Sequence, residues 1–259
     1  DQATGMSIGI IAAASYHNQQ NTYGPRHWNA AQTNAYLNAI FQTSFDDSAT
    51  DLWDDHSHNL STGLSINFDG YNEELYLSDA INAPYNLNRR EITPGIFAEY
   101  TYTYKDKVTL LAGIREDYST RYGFFTTPRM NLRYAPFEWW TLRGSIGLGY
   151  RTPNAIADNA AYLPSNRIYQ YYAPLHNATP YYTTLDNAQL AQEHSMNTGL
   201  STVFYIPIGK RELQLSGEYY YTKFLNGVIA DMDCSVHSIT LYNMHDVADA
   251  QYFSHNWQV

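Results

Sequence analysis

Several things are scarce in this 259-residue chain, and each scarcity closes off a class of protein. There is one cysteine, Cys234, so no internal disulfide can form and the redox compartment cannot be read from it. It is taken as an incidental loop residue, not a reactive thiol or metal ligand. Charged residues make up only 15%, and Lys and Arg total 15 against 25 Asp and Glu, a net charge of −10. A nucleic-acid surface needs a basic stripe to meet phosphates, and none is present. No run of about eighteen apolar residues exists, which excludes a membrane-spanning helix. Gly-x-Ser-x-Gly, His-Glu-x-x-His and Gly-rich phosphate-loop patterns are missing, so no catalytic constellation stands out and an enzyme is not expected. The opening Asp-Gln-Ala-Thr-Gly lacks the charged and apolar regions of a secretory signal. The chain is therefore read as mature or as a piece of something longer, with the piece preferred.

What the chain does have is tyrosine, 25 of them, and alternation. Ile96–Tyr104, Val108–Asp117, Pro128–Tyr134 and Thr141–Arg151 each alternate in polarity, separated by short polar breaks at Lys105-Asp106-Lys107, 119–122 and 135–138. Side chains of a strand point alternately to opposite faces. One phase here holds Ile96, Ala98, Tyr100, Tyr102, Tyr104, Leu110, Ile114, Leu132, Leu142 and Ile146; the other holds Glu99, Asp117, Arg115, Arg129, Arg133 and Arg143. Two environments produce such a pattern: a soluble antiparallel sheet with one wet face, or a barrel with lipid outside and a polar lumen. Tyrosine at the ends of the apolar runs favours the barrel, because an amphipathic ring suits the headgroup zone. A one-residue slip would turn the four arginines toward lipid at roughly 2–4 kcal/mol each near the midplane, so the register is strongly specified.

Further strands are expected at 6–16, 34–45, 58–69, 196–206 and 212–222, with two more at 236–243 and 250–259, about eleven in all. Long loops are expected at 17–33, 70–90 and 152–193, and an acidic turn at 46–57. The long loops and short turns fall on opposite ends of the strands, as in bacterial outer-membrane barrels.

Particular residues carry a family likeness. The run Arg115-Glu-Asp-Tyr118, Thr127-Pro-Arg129, Leu132-Arg-Tyr134, Thr141-Leu-Arg143 and Gly149-Tyr-Arg-Thr-Pro-Asn154 resembles the barrel of TonB-dependent outer-membrane receptors, especially those of Bacteroidetes-type bacteria. Tyr150, Arg151 and Pro153, followed by Asn187, Leu190 and Glu193, are similar to the paired boxes of that family's haem and siderophore receptors. The resemblance implies an all-β, antiparallel transmembrane barrel of 22 strands with an N-terminal plug. Residues 1–259 would be a partial barrel domain of 10–11 strands, without plug or closing strands, since an open sheet in hydrocarbon leaves unpaired edges. It also implies location in the bacterial outer membrane and contact with its lipid. Uptake would be driven by the TonB complex through the missing plug, and the cargo would be a metal chelate: ferric siderophore first, haem or cobalamin as alternatives. A self-contained barrel of about ten strands, a protease or adhesin, is the competing architecture, recognisable by pairing of 1–16 with 250–259.

For sites, the tyrosine-crowded stretch supplies Tyr169, Tyr171, Tyr172, Tyr181 and Tyr182, with His176 between the two boxes where the resemblance places a haem receptor's axial ligand. The plain alternative for His176 is an exposed loop histidine. His56 and His58 beside Asp54 and Asp55 have metal-ligand chemistry, but are taken as a solvated turn. Asp231-Met-Asp233 is taken as a loop, lacking calcium-site spacing. Arg115, Arg129, Arg133 and Arg143 are placed on the lumen side, balancing acids there or facing the plug.

Overall fold

In the computed structural model, the residues described are 5–45, 56–77, 84–173, 181–185, 188–233, 235–246 and 252–258. The dominant element is one twisted antiparallel sheet. Its strands are β1 (Met6–Tyr23), β2 (Arg26–Ser44), β3 (His56–Tyr76), the two-residue β4 (Tyr85–Asn86), β5 (Arg89–Tyr104), β6 (Val108–Ser119), β7 (Gly123–Phe137), β8 (Trp140–Arg151), β11 (Glu193–Ile208), β12 (Arg211–Asn226) and β15 (Tyr252–Gln258). Ten of them lie side by side in the order β1-β2-β3-β5-β6-β7-β8-β11-β12-β15, with β4 attached to β3. The remaining strands, β9 (Ile168–Ala173), β10 (Tyr181–Thr183), β13 (Val228–Asp231) and β14 (Ser238–Asn243), form a separate sheet in the order β10-β9-β14-β13.

The expected parity holds across every pairing. Ile10 faces Ala39, Ala39 faces Leu64, and Leu64 faces Ile96; further along, Leu110 faces Leu132, Leu132 faces Gly144, and Gly144 faces Leu200. Paired residues share a face, so the apolar phase is continuous. That face is uncovered: Ile8, Ile10, Leu64, Ile96, Ile114 and Leu200 are all exposed. An apolar surface of this extent needs a solvent or partner that is not water.

Three corrections concern length and count. The stretch 17–33 is not a loop: β1 and β2 run on to a tight hairpin at Gly24-Pro25. Likewise β3 is 21 residues long and takes in His56 and Ser57 as well as 70–76. The extensions read as loop because their outer phase turns polar, Asn18, Gln20 and Thr22 in β1 and Asn72 and Glu74 in β3; backbone pairing continues past the apolar band, where both faces are wet and alternation vanishes. The third correction is that 236–243 supplies β14 of the second sheet, leaving ten long strands in the main one.

At one end of the main sheet the connections after β5, β7 and β11 are tight. Lys105 and Asp106 both have positive φ, 48° and 54°, and Lys107 N donates to Tyr104 O at 2.9 Å, the geometry of a hairpin turn that glycine and asparagine favour. Aromatic groups gather at this end: Tyr102 shares a 2.6 Å hydrogen bond with His56 and Tyr100 another with His58, while Trp140 stacks on Phe204. Asp54 and Asp55 lie outside the described residues, and no group of three potential metal ligands occurs among the described ones. Strands β1 and β15 are the two edges of the sheet and do not pair with each other. The self-contained small barrel, which required that pairing, is therefore not what this chain forms.

Candidate functional site

At the opposite end the long connections fold inward. The segment after β8 makes a 3-10 turn (Ala157–Tyr162), then β9 and β10; the segment after β12 supplies β13 and β14, with β14 parallel to β9. The molecule's buried apolar core lies here and not in the main sheet. Ile156, Leu163, Tyr169, Leu190, Ile239 and Leu241 pack against Trp28 and Leu75. Trp28 and Leu75 are cross-strand partners on the polar phase of β2 and β3, so this second sheet caps the inner side of the first. The described parts of the stretch expected to be a long loop, 152–193, thus belong to a packed layer against the inner side of the sheet.

Charged and amide side chains clamp the layer to the wall. Arg151, at the end of β8, donates from Nε to Glu193 Oε2 at 2.7 Å and from Nη1 to Asp158 Oδ1 at 2.8 Å. Glu193 Oε1 in turn accepts from Val228 N at 3.1 Å, so one arginine joins β8, the 3-10 turn, β11 and β13. Asn154 caps the turn, its Oδ1 accepting from Ile156 N and Ala157 N, while its Nδ2 donates 2.7 Å to Glu73 Oε1. Glu91 accepts from Ser119 and Thr152 hydroxyls at 2.6 and 2.9 Å. Arg26, 4% exposed, donates to the carbonyls of Leu163 and Arg167 at 3.4 and 2.5 Å, satisfying backbone acceptors that the layer would otherwise bury unpaired.

Burial shifts the proton affinity of several groups, Glu73 and Tyr169 among them. Burial raises the Glu73 carboxyl above its ordinary range, against the opposing pull of the Asn154 hydrogen bond and the nearby Arg89; its Oε2 has no partner among the described residues. Burial also pushes the Tyr169 phenol up to about 12, with Arg26 opposing. Both follow from desolvation of the charged form.

Two cavities share Arg151. One, about 480 Å³, lies between layer and wall and is lined by Arg151, Asp158, Tyr162, Glu193, Val228 and Met244. The other, about 300 Å³, opens on the inner wall beneath the layer, beside Asp69, Glu91, Arg115, Asp117, Tyr150 and Arg151. There Arg115 grips Asp117 through two bonds of 2.6 and 2.5 Å and donates a third to Ser65. The larger hollow mixes apolar walls with the Arg151, Asp158 and Glu193 charges, and the smaller one is mainly polar; apolar walls with a few placed polar groups are the usual make-up of a small-molecule site.

The residues singled out in the sequence fall in different places. Tyr169 and Tyr171, expected on a ligand-facing loop surface, are buried in the layer's core beside its aliphatic side chains, with hydroxyls donating to Asn159 O and Gln189 O. Tyr172 is half-buried. Tyr181 and Tyr182 are in β10, opposite Ala173 and Tyr172. Leu190 is core and Pro153 is cavity wall. Tyr150 stacks between Phe125 and His194. Arg115, Arg129, Arg133 and Arg143 all lie on the polar phase. Asp231 and Asp233 make a local turn, Asp233 N donating to Asp231 Oδ1. His176, Asn187 and Cys234 lie outside the described residues. Sequence reasoning missed Arg26, Trp28 and Glu73, and named Asn154 only within the family-like run. The available signal was Trp28 and Leu75, isolated large apolar residues on an otherwise polar phase.

A family model described as TonB dependent receptor-like, beta-barrel matches residues 4–251. Among solved structures, the siderophore receptor PirA from Pseudomonas aeruginosa is 15% identical with a TM-score of 0.58, over 97% of this chain and 46% of that one. FpvAI in its complex with pyocin S2 is 12% identical, TM-score 0.54, over 93% and 34% of the two chains. The RagAB peptide transporter gives 11%, 0.53, 85% and 28%. At these identities the likeness is one of fold, and this chain spans less than half the length of each. No curated protein sequence matches the chain.

Proposed function

The chain belongs to the TonB-dependent receptor β-barrel family, and on that premise we propose that it forms part of the wall and mouth of a bacterial outer-membrane receptor importing a metal chelate. Ferric siderophore is the first candidate, haem or cobalamin the alternatives. The observation that carries this reading is the two-faced sheet: one face apolar and uncovered, the other polar and roofed by a folded layer with cavities beneath that hold charged side chains. Oil outside and water within suits an outer-membrane wall, and two open edges, β1 and β15, suit a wall completed by further strands, because unpaired edges do not persist in hydrocarbon. Siderophore leads because the PirA receptor of matching fold is a siderophore receptor. The wall performs no chemistry in this reading; it positions cargo, and the TonB complex supplies the energy through a plug.

The test is uptake by cells expressing the whole receptor, against a deletion strain, with iron-55 ferric siderophores, haem and cobalamin as separate probes. Uptake of one probe is expected to require the receptor and to stop when the proton gradient is collapsed. Equal uptake of all three by the deletion strain would refute the reading.

A further inference from the structure

The wall is split between β7 and β8. β7 stays paired with β6 as far as Gly123 opposite Ser119, and β8 with β11 as far as Arg151 opposite Glu193, but the ladder joining β7 to β8 stops at Arg129 opposite Gly147. Beyond that point residues 123–128 and 148–151 run on as strands unpaired with each other. Pro128 explains where the ladder ends. Ala135 N donates to Lys107 O on the β6 side at 2.6 Å, and backbone groups alternate in direction along a strand, so those of Phe124, Thr126 and Pro128 face β8. Trp139 O accepts from Tyr205 N on the β11 side, so by the same alternation Leu148 and Tyr150 face β7. One step further the ladder would pair Pro128 with Leu148 in a two-bond exchange, and proline has no N–H to give. Two rings then wedge the strands apart. Phe125 on the polar phase and Tyr150 on the apolar phase would stand on opposite faces of a closed ladder, yet their centroids are 4.9 Å apart.

The split holds a hollow of about 650 Å³, lined by Phe124, Thr126, Pro128, Leu148, Tyr150 and His194 among others. It lies at the end that carries the capping layer. Glu116, which accepts from the Thr126 hydroxyl, stands where the outer phase turns polar, so the open backbone edges are at the rim of the apolar band and not in hydrocarbon, where they would not persist. We propose that the split is a strand-addition site, in which an extended peptide with apolar side chains at alternate positions inserts between β7 and β8 and completes the ladder with its own backbone. The facing edges select this occupant. They offer N–H and C=O groups at a two-residue repeat of about 7 Å, which an extended main chain matches, while Phe124, Pro128 and Leu148 on the outer phase receive every second side chain. The site is made by main-chain groups and is independent of which cargo is imported.

The test uses the whole receptor in neutral detergent and a fluorescein-labelled, end-capped peptide of alternating valine and threonine, read by anisotropy, beside the same peptide N-methylated at every second residue. The first is expected to bind saturably and the second at least tenfold more weakly, because methylation removes main-chain donors and keeps the side chains. Pro128→Val supplies the missing N–H and should let the ladder close, weakening the unmethylated peptide at least tenfold. Amide hydrogen exchange at Thr126 and Tyr150 should slow when that peptide binds the parent receptor and be slow already in the variant. Failure to saturate, equal binding of the two peptides, or undiminished binding to Pro128→Val would overturn the assignment. Protection of those amides by lipopolysaccharide and not by the peptide would overturn it as well, in favour of a glycolipid.

Discussion

Ile10 and Ile11 offer a matched test of the oil-and-water reading, because they are the same residue, adjacent, and on opposite faces. Ile10 is 72% exposed and pairs with Ala39; Ile11 is 50% exposed and pairs with Asn38. The outer run from Met6 to Tyr16 spans about ten residue steps, roughly 33 Å along the strand, or about 23 Å across the bilayer at a 45° tilt. Ile10 sits near its middle. Replacing it with Arg should therefore cost about 2–4 kcal/mol, the midplane penalty for a charged side chain on the lipid face of a barrel. Ile11→Arg puts the same group on the polar face and should stay within about 0.5 kcal/mol of the parent. Equilibrium unfolding by guanidinium in phosphatidylcholine vesicles, followed by tryptophan fluorescence, reads the difference. Equal shifts for the two variants would show that the apolar face does not meet lipid, and the uptake reading would go with it.

Other expectations concern the layer and one turn. Glu73→Gln keeps the acceptor for Asn154 and removes a carboxyl whose pKa is raised by burial. A raised folded pKa contributes stability that is complete below the ordinary value of 4.5 and lost as pH rises through the folded one. The variant should therefore be the more stable of the two at neutral pH and the less pH-dependent, by thermal melts from pH 4 to 8; a variant less stable at pH 7 would contradict this. Trp28→Ala removes the largest wall-side contact of the layer and should cost about 3–5 kcal/mol locally. Hydrogen exchange should show lost protection in 238–243 with 108–119 unchanged; equal loss in both would mean layer and wall unfold together. Asp106→Gly relieves a positive φ of 54° and should raise stability by up to about 1 kcal/mol, measured by denaturant midpoint; a lowered midpoint would refute the turn geometry.

The sequence alone determined the sheet: which residues share a face, the strand centres, the tight turns, and the arginines of the polar phase. Those follow from a period of two set by local geometry and sharpened by the cost of turning a charge to oil, so each strand declares its own orientation. The strand ends did not show, because above the apolar band both faces are wet and nothing in composition separates a paired strand from a loop. The capping layer was illegible for a different reason. It is built from contacts far apart along the chain, Trp28 and Leu75 against Ile239 and Leu241, Glu73 against Asn154, Arg26 against Leu163, and short irregular segments with no periodicity carry no signal of where they will fold. Tertiary structure alone decided that Tyr169 and Tyr171 serve as core, that Arg151 joins four elements, and that the sheet stays open at β1 and β15.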